Sequence, residues 1–249
     1  MGSIANLEKR LEEITDDLLD TISQKETWDI HEDLSFPLPV IIICEILGIP
    51  TDDIKKFKGW ADAAVAQMCS EEPETFQKDL DKMDDYFLEL ILKKRSIPED
   101  SSLISRIANA KISGEYLSND EAIRLAAQIF VAGNETTTSL ISNLVWRLLS
   151  IDNLWDKFID DNLEIDGLIS ESLRFDPPLL GLFKTTSKDI KYDDVTIPSN
   201  TKVMMHYGAA NRDADVFILS LIHISAVSYT HLRAHETLRY LVCRLLLEK

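Results

Sequence analysis

Ala132-Gly133-Asn134-Glu135-Thr136-Thr137 lies in the middle of a stretch from about Asn119 to Ser150 that reads as one long helix. Leu125, Ile129, Ala132, Thr136, Leu140, Leu144 and Leu148 recur every three to four residues, a spacing that predicts one inward face. Ser118, followed three residues later by Glu121, predicts a capping box at the helix start. Such a helix would run about 48 Å, enough to cross a domain. Its centre is nevertheless built from glycine, asparagine and threonines, which lowers helix propensity by about 3 kcal/mol relative to alanine. Gly133 leaves room for a flat or bulky group to approach the backbone, and Glu135 and Thr136 place a carboxylate and a hydroxyl beside that opening. The same small residues would equally suit a helix packed closely on a neighbour, with Glu135 in solvent or in a surface ion pair.

Outward from this centre the chain is mostly helical. Leu7, Leu11, Ile14, Leu18 and Ile22 form one apolar stripe opposite acidic residues. Val40 to Gly48 reads as a buried helix ended by Gly48 and Pro50, with Cys44 as a small core residue. Helices follow from about Asp52 to Cys69, from Pro73 to about Lys94 and from Ser101 to Ala110, with Gly114 at a turn. Two more helical stretches lie between Asp152 and Asp176-Pro177-Pro178. Ile190 to Tyr192, Val195 to Ile197 and Lys202 to Met205 then read as short strands, with Pro198-Ser199-Asn200 as a turn. The fold class expected is mainly α with a small β portion, from about Lys188 to Met205.

Among 249 residues, 26 basic and 43 acidic side chains leave a net charge of −17. That balance argues against nucleic acid and anionic membranes as partners. No signal peptide is evident, and the apolar run Val40 to Leu47 is too short to span a bilayer and is interrupted by Glu45. Three unpaired cysteines fit a reducing, cytoplasmic setting.

Several segments, in order, resemble the cytochrome P-450 family of haem-thiolate monooxygenases. Ala132 to Thr137 resembles that family's oxygen-binding motif, Ala/Gly-Gly-x-Asp/Glu-Thr-Thr/Ser. Phe36-Pro37-Leu38-Pro39 with Cys44-Glu45-Ile46-Leu47-Gly48-Ile49-Pro50 is similar to its Pro-Leu-Pro…Glu-Leu-Leu-Gly-Val-Pro segment. Glu171-Ser172-Leu173-Arg174 matches its Glu-x-x-Arg, which three-residue spacing puts on one helix face. Pro177-Pro178, Thr185-Thr186, Asp189, Thr196-Ile197-Pro198 and Ala210-Asn211-Arg212-Asp213 continue the pattern, so the resemblance covers about Ile4 to Phe217.

The resemblance implies a haem cofactor, with Ala132 and Gly133 over its distal face and Glu135 and Thr136 supplying protons for O2 activation. It implies a structural ion pair between Glu171 and Arg174. Lys184 falls where many relatives place an arginine for a haem propionate; a lysine keeps the charge and loses the fork. His206 reads as a packed histidine. The expected reaction inserts one atom of O2 into a small apolar substrate, with electrons from a ferredoxin or flavoprotein. The alternative is a non-catalytic helical fragment or interaction protein that binds no haem.

After Phe217 the pattern breaks. The family's Phe-x-x-Gly-x-x-x-Cys, whose thiolate binds iron, has no counterpart, and no metal ligand can be assigned. Cys243, in Leu241-Val242-Cys243-Arg244, lacks the preceding glycine and phenylalanine and is not expected to serve. His231, His235, Glu236 and Cys243 have spacing that a zinc site could use, with nothing else in support. Residues 227–237 resemble translated adapter DNA, so 1–217 is expected to be a partial domain and 218–249 an unrelated tail. The family's N-terminal β-rich region also finds no match, so a partial fold with exposed core and poor solubility is expected.

Overall fold

The computed structural model describes residues 2–52, 54–69, 72–160 and 164–217. It divides into two compact units, one ending at Ser139 and the other starting at Leu140. The helix Asn119–Ser150, here α6, runs through both.

The first unit is helical because its chain is a series of amphipathic stretches around one that is apolar throughout, Pro37–Leu47. These are α1 (Gly2–Ser23), α2 (Pro37–Leu47), α3 (Ile54–Cys69), α4 (Gln77–Arg95) and α5 (Leu103–Ala108). A five-residue π-helical turn, His31–Ser35, leads into α2, and a 3-10 turn, Pro73–Phe76, leads into α4. Both interrupt stretches that the sequence predicts as continuous chain or helix. Proline suits the first turn of α2, where no amide hydrogen is needed, so the helix starts at Pro37 rather than Val40. β1 (Lys111–Ile112) and β2 (Glu115–Tyr116) form a small antiparallel hairpin around Gly114. Their shared core includes an aromatic chain, Phe57, Trp60, Tyr86, Phe87 and Phe130, with neighbouring ring centroids 5.3–6.0 Å apart. Arg95 ties three elements at their ends. It donates to the carbonyls of Ala108 (2.8 Å) and Leu117 (2.6 Å) and to Asn119 Oδ1 (2.6 Å).

The start of α5 carries a measurable charge effect. Ser102 caps it, and Asp100 accepts hydrogen bonds from Lys94 Nζ and from the backbone and hydroxyl of Ser102. These donors, Lys94 first, hold the Asp100 carboxyl down at about 2 against an ordinary 3.8. A carboxyl lowered on folding stabilises the fold above its unfolded pKa, and that contribution fades as pH falls from about 4 towards 2. Carbon-detected NMR titration is expected to place the Asp100 midpoint near 2; a midpoint at or above 3.8 would contradict this arrangement.

In α6 the capping box forms as its spacing predicts. Ser118 N and Oγ both donate to Glu121 Oε2 at 2.8 Å, and Glu121 N donates to Ser118 Oγ at 3.2 Å. The expected inward stripe is borne out only in part. Leu140, Leu144 and Leu148 are buried, whereas Leu125, Ala132 and Thr136 are exposed. The buried line in the N-terminal half is instead Ala122, Ala126, Phe130, Asn134 and Thr138. Both lines satisfy a period near 3.6; the packed neighbours, not the spacing, select between them.

The second unit contains α7 (Leu154–Ile159), α8 (Ile165–Phe175) and α9 (Tyr207–Ala210), with Leu140, Leu144, Leu148, Leu154, Phe158, Leu168 and Ile169 as its core. Its strands form two antiparallel ribbons. β3 (Gly181–Thr185) pairs with β6 (Lys202–His206), and β4 (Ile190–Tyr192) pairs with β5 (Val195–Ile197). β3 was not expected, so the β portion starts at Gly181 rather than Lys188. Side chains on both sides of β3 are exposed, leaving no polar–apolar alternation to read. Residues 218–249, including the suspected adapter-like tail, Cys243 and the His231–His235–Glu236 set, lie outside the described residues.

Candidate active site

The central residues of α6 separate by face. Ala132 and Thr136 are one turn apart on the exposed side, and Thr136 Oγ1 donates to the Ala132 carbonyl at 2.8 Å. That bond fixes the hydroxyl proton and leaves the oxygen lone pairs free to accept. Glu135 is half-buried and makes no hydrogen bond or ion pair among the described residues, so the surface ion pair is not formed there. Gly133 faces elsewhere. A Cβ built on it would lie 3.2 Å from Ile43 Cδ1 of α2, so the space left by its missing side chain is taken by helix packing. The expectation that Gly133 opens the backbone to a flat group is thus better met by the neighbouring Ala132, whose methyl group is the small one on the exposed face.

α8 assembles the ion pair predicted from spacing. Arg174 Nε and Nη2 donate to the two Glu171 oxygens, each at 2.7 Å, with both side chains at most 4% exposed. Arg174 Nη1 also donates to the Asn211 carbonyl at 2.9 Å, so the pair grips the Asn211-Arg212-Asp213 segment. Arg212 returns a bond to the Phe175 carbonyl at 2.6 Å. The guanidinium groups of Arg147, Arg174 and Arg212 all stand over the Phe175 ring, at 4.7, 5.5 and 4.7 Å.

Sequence reading missed a second pair. Arg147 Nε and Nη2 donate to Asp176 at 2.5 and 3.0 Å, and Asn143 Nδ2 donates to the Asp176 carbonyl at 3.2 Å. These bonds raise the Arg147 pKa. The one signal available was Asp176 itself, placed directly before Pro177-Pro178 where a helix must stop.

Other matched positions prove structural. Thr186 Oγ1 donates to the Pro198 carbonyl (2.7 Å) and accepts from Thr201 N (2.9 Å), and Asp189 Oδ1 accepts from Ser199 N (2.8 Å). His206, read as a packed histidine, is exposed instead; its Nδ1 accepts from Ala209 N at 3.0 Å, so this histidine caps α9. Lys184 is exposed on β3, opposite Val203 in the ribbon, with no ion pair among the described residues. Its charge is therefore available to an anionic group.

Two observations test this chain against a haem. The exposed α6 face around Ala132 carries no bulky side chain at that position, which suits a flat macrocycle. The described cysteine side chain does not suit the iron: Cys44 is 0% exposed in α2, and burial pushes its thiol up to about 12, far from a thiolate.

The comparisons with known proteins agree with this geometry. Residues 165–218, containing the Glu171–Arg174 pair, match the cytochrome P450 family model. Cytochrome P450 107B1 of Saccharopolyspora erythraea is 34% identical over 215 residues, covering 86% of this chain and 52% of that protein. Cytochrome P450 119 of Sulfolobus acidocaldarius is 36% identical over 215 residues, covering 86% and 55%. Among solved structures, testosterone-bound CYP109E1 of Bacillus megaterium superposes with a TM-score of 0.84 at 28% identity, covering 99% of this chain and 68% of that one. A mutant of P450 EryK in complex with erythromycin B gives 0.83 at 29%, covering 98% and 65%. The chain spans about half the length of the curated relatives it matches. With its mainly helical fold, its buried Glu-x-x-Arg pair and these likenesses, the chain belongs to the cytochrome P450 family, whose cofactor is haem.

Proposed function

We propose that residues 1–217 belong to a haem-dependent monooxygenase that inserts one atom of O2 into a small apolar organic substrate. The observation that carries this reading is the exposed Ala132–Thr136 face of α6, with its fixed hydroxyl and, next in sequence, a carboxylate without a partner among the described residues. When bound, haem supplies the oxygen-activating redox chemistry. Ala132 leaves space for it, Gly133 sets the local packing behind that face, and Lys184 offers a charge to a propionate. Thr136, its proton held by the Ala132 carbonyl, uses its free lone pairs to accept a hydrogen bond and so orients a proton-bearing water at that face; Glu135 releases protons to that water from its carboxyl and regains them from solvent. Glu171 and Arg174 act as positioning residues. Electrons would come from a ferredoxin or flavoprotein, in the cytoplasm; no described helix is long and apolar enough to cross a membrane. One relative is a vitamin D(3) 25-hydroxylase of Pseudonocardia autotrophica, which supports an apolar substrate class.

The second reading, a helical chain that binds no haem, is favoured by the buried neutral Cys44. Reduced, carbon-monoxide-treated samples separate the two. The 249-residue chain is expected to show no band near about 450 nm, the mark of thiolate-ligated haem. Residues 4–217 grafted into cytochrome P450 107B1, in place of the matching segment, are expected to show it. In that chimera Thr136→Ala and Glu135→Gln are expected to slow product formation by about 100-fold. A folded chimera without the band would sink the monooxygenase reading.

A further inference from the structure

The buried face of α6 carries one side chain that its neighbours leave partly unanswered. Asn134 is 0% exposed, yet its Nδ2 donates to no atom among the described residues. Its Oδ1 accepts from Thr138 Oγ1 over a long 3.4 Å, and Thr138 is itself 1% exposed. Around this pair the same face is apolar, with Ala126 and Phe130 before it and Ile141 and Val145 after it. A buried amide donor without a partner is strongly unfavourable, and native interiors answer such groups with protein atoms or with water. Leucine would suit the apolar pattern and the helix better than asparagine.

We propose that Asn134 and Thr138 seat one internal water molecule on the buried side of α6, away from the Ala132–Thr136 face. The water accepts from Asn134 Nδ2 and donates to Thr138 Oγ1, whose lone pairs stay free after its own donation. Its second hydrogen goes to a main-chain carbonyl of the preceding turn, which has a spare lone pair. Three partners are the usual complement of a buried water. The site also positions the open face. Turning α6 by one residue, about 100°, would drive Asn134 and its water against apolar neighbours and carry Ala132 off the exposed side. A polar group seated in an apolar stripe thus fixes one rotation of the helix. This inference stands independently of any haem chemistry.

The test uses the 249-residue chain, isotope-labelled, with the Asn134 side-chain amide assigned by through-bond NMR on the unmodified protein. The expected result is a pair of amide cross-peaks to water with opposite signs in NOESY and ROESY spectra, the signature of water held through molecular tumbling. An Asn134 amide without such cross-peaks overturns the proposal. Asn134→Leu supplies a second reading through urea unfolding. Its midpoint is expected to fall, because the water and its hydrogen bonds leave together; a midpoint above that of the parent overturns the proposal as well.

Discussion

Arg174→Ala is expected to destabilise the second unit by about 3–5 kcal/mol, the loss typical of leaving one partner of a buried ion pair behind. Glu171 would stay 4% exposed while losing two 2.7 Å hydrogen bonds. The Asn211 carbonyl would lose its donor at the same time, loosening the segment that follows α9. Arg174→Lys is expected to fall between, since an ammonium keeps the charge but cannot span both carboxylate oxygens and Asn211 together. Removing both charges, as Glu171→Leu with Arg174→Met, is expected to cost less than Arg174→Ala alone, because no buried charge is stranded. Urea unfolding followed by the fluorescence of Trp146 and Trp155, both in this unit, reads these differences. An Arg174→Ala loss below about 1 kcal/mol would place the pair with exposed ion pairs instead.

This pair was legible because a helix converts a spacing of three into a shared face. The Ser118–Glu121 box was legible for the same reason. Arg147 and Asp176 lie 29 positions apart, and no local period links them. Only the return of the chain through α7 and α8 brings them into contact. β3 was hidden because its ribbon is exposed on both sides, so Leu182, Phe183 and Lys184 show no alternation to mark a strand.

The middle of α6 shows a subtler limit. Its composition announced a special site, but two apolar lines fit the helical period, and only the positions of Ile43 and the core aromatics decide which is buried. Hence the glycine chosen from sequence as the opening is a packing position, and the alanine before it is the exposed one. Leu180, Leu182, Phe183, Met204 and Met205 are exposed apolar side chains of the second unit.

Two glycines that look alike in sequence should therefore respond oppositely to alanine. Gly48 closes α2 with φ of 75°, in the left-handed region, and its N–H bonds to Cys44 and Glu45 carbonyls at 2.8 and 3.1 Å. An added Cβ would lie 2.3 Å from Ser102 Cβ, an atom fixed to the backbone at the start of α5. The left-handed conformation costs a non-glycine residue about 1–2 kcal/mol, and forcing apart two packed elements adds about 1–3 kcal/mol. Gly48→Ala is thus expected to lose about 2–5 kcal/mol, the sum of those two effects. Adding Ser102→Gly removes the clashing Cβ and should recover the steric share once the loss of the α5 cap, measured in the Ser102→Gly single variant, is subtracted. Gly133→Ala meets only the Ile43 side chain within a regular helix, closest at its far end, Cδ1, at 3.2 Å and in ordinary contact with Cγ1 at 3.6 Å. There the gain in helix propensity, about 1 kcal/mol, opposes a small rearrangement, and stability is expected to hold or rise. Thermal unfolding of the two single variants side by side decides the matter. Equal losses at both positions would mean that Ile43 cannot move, making α2 a rigid support for the centre of α6.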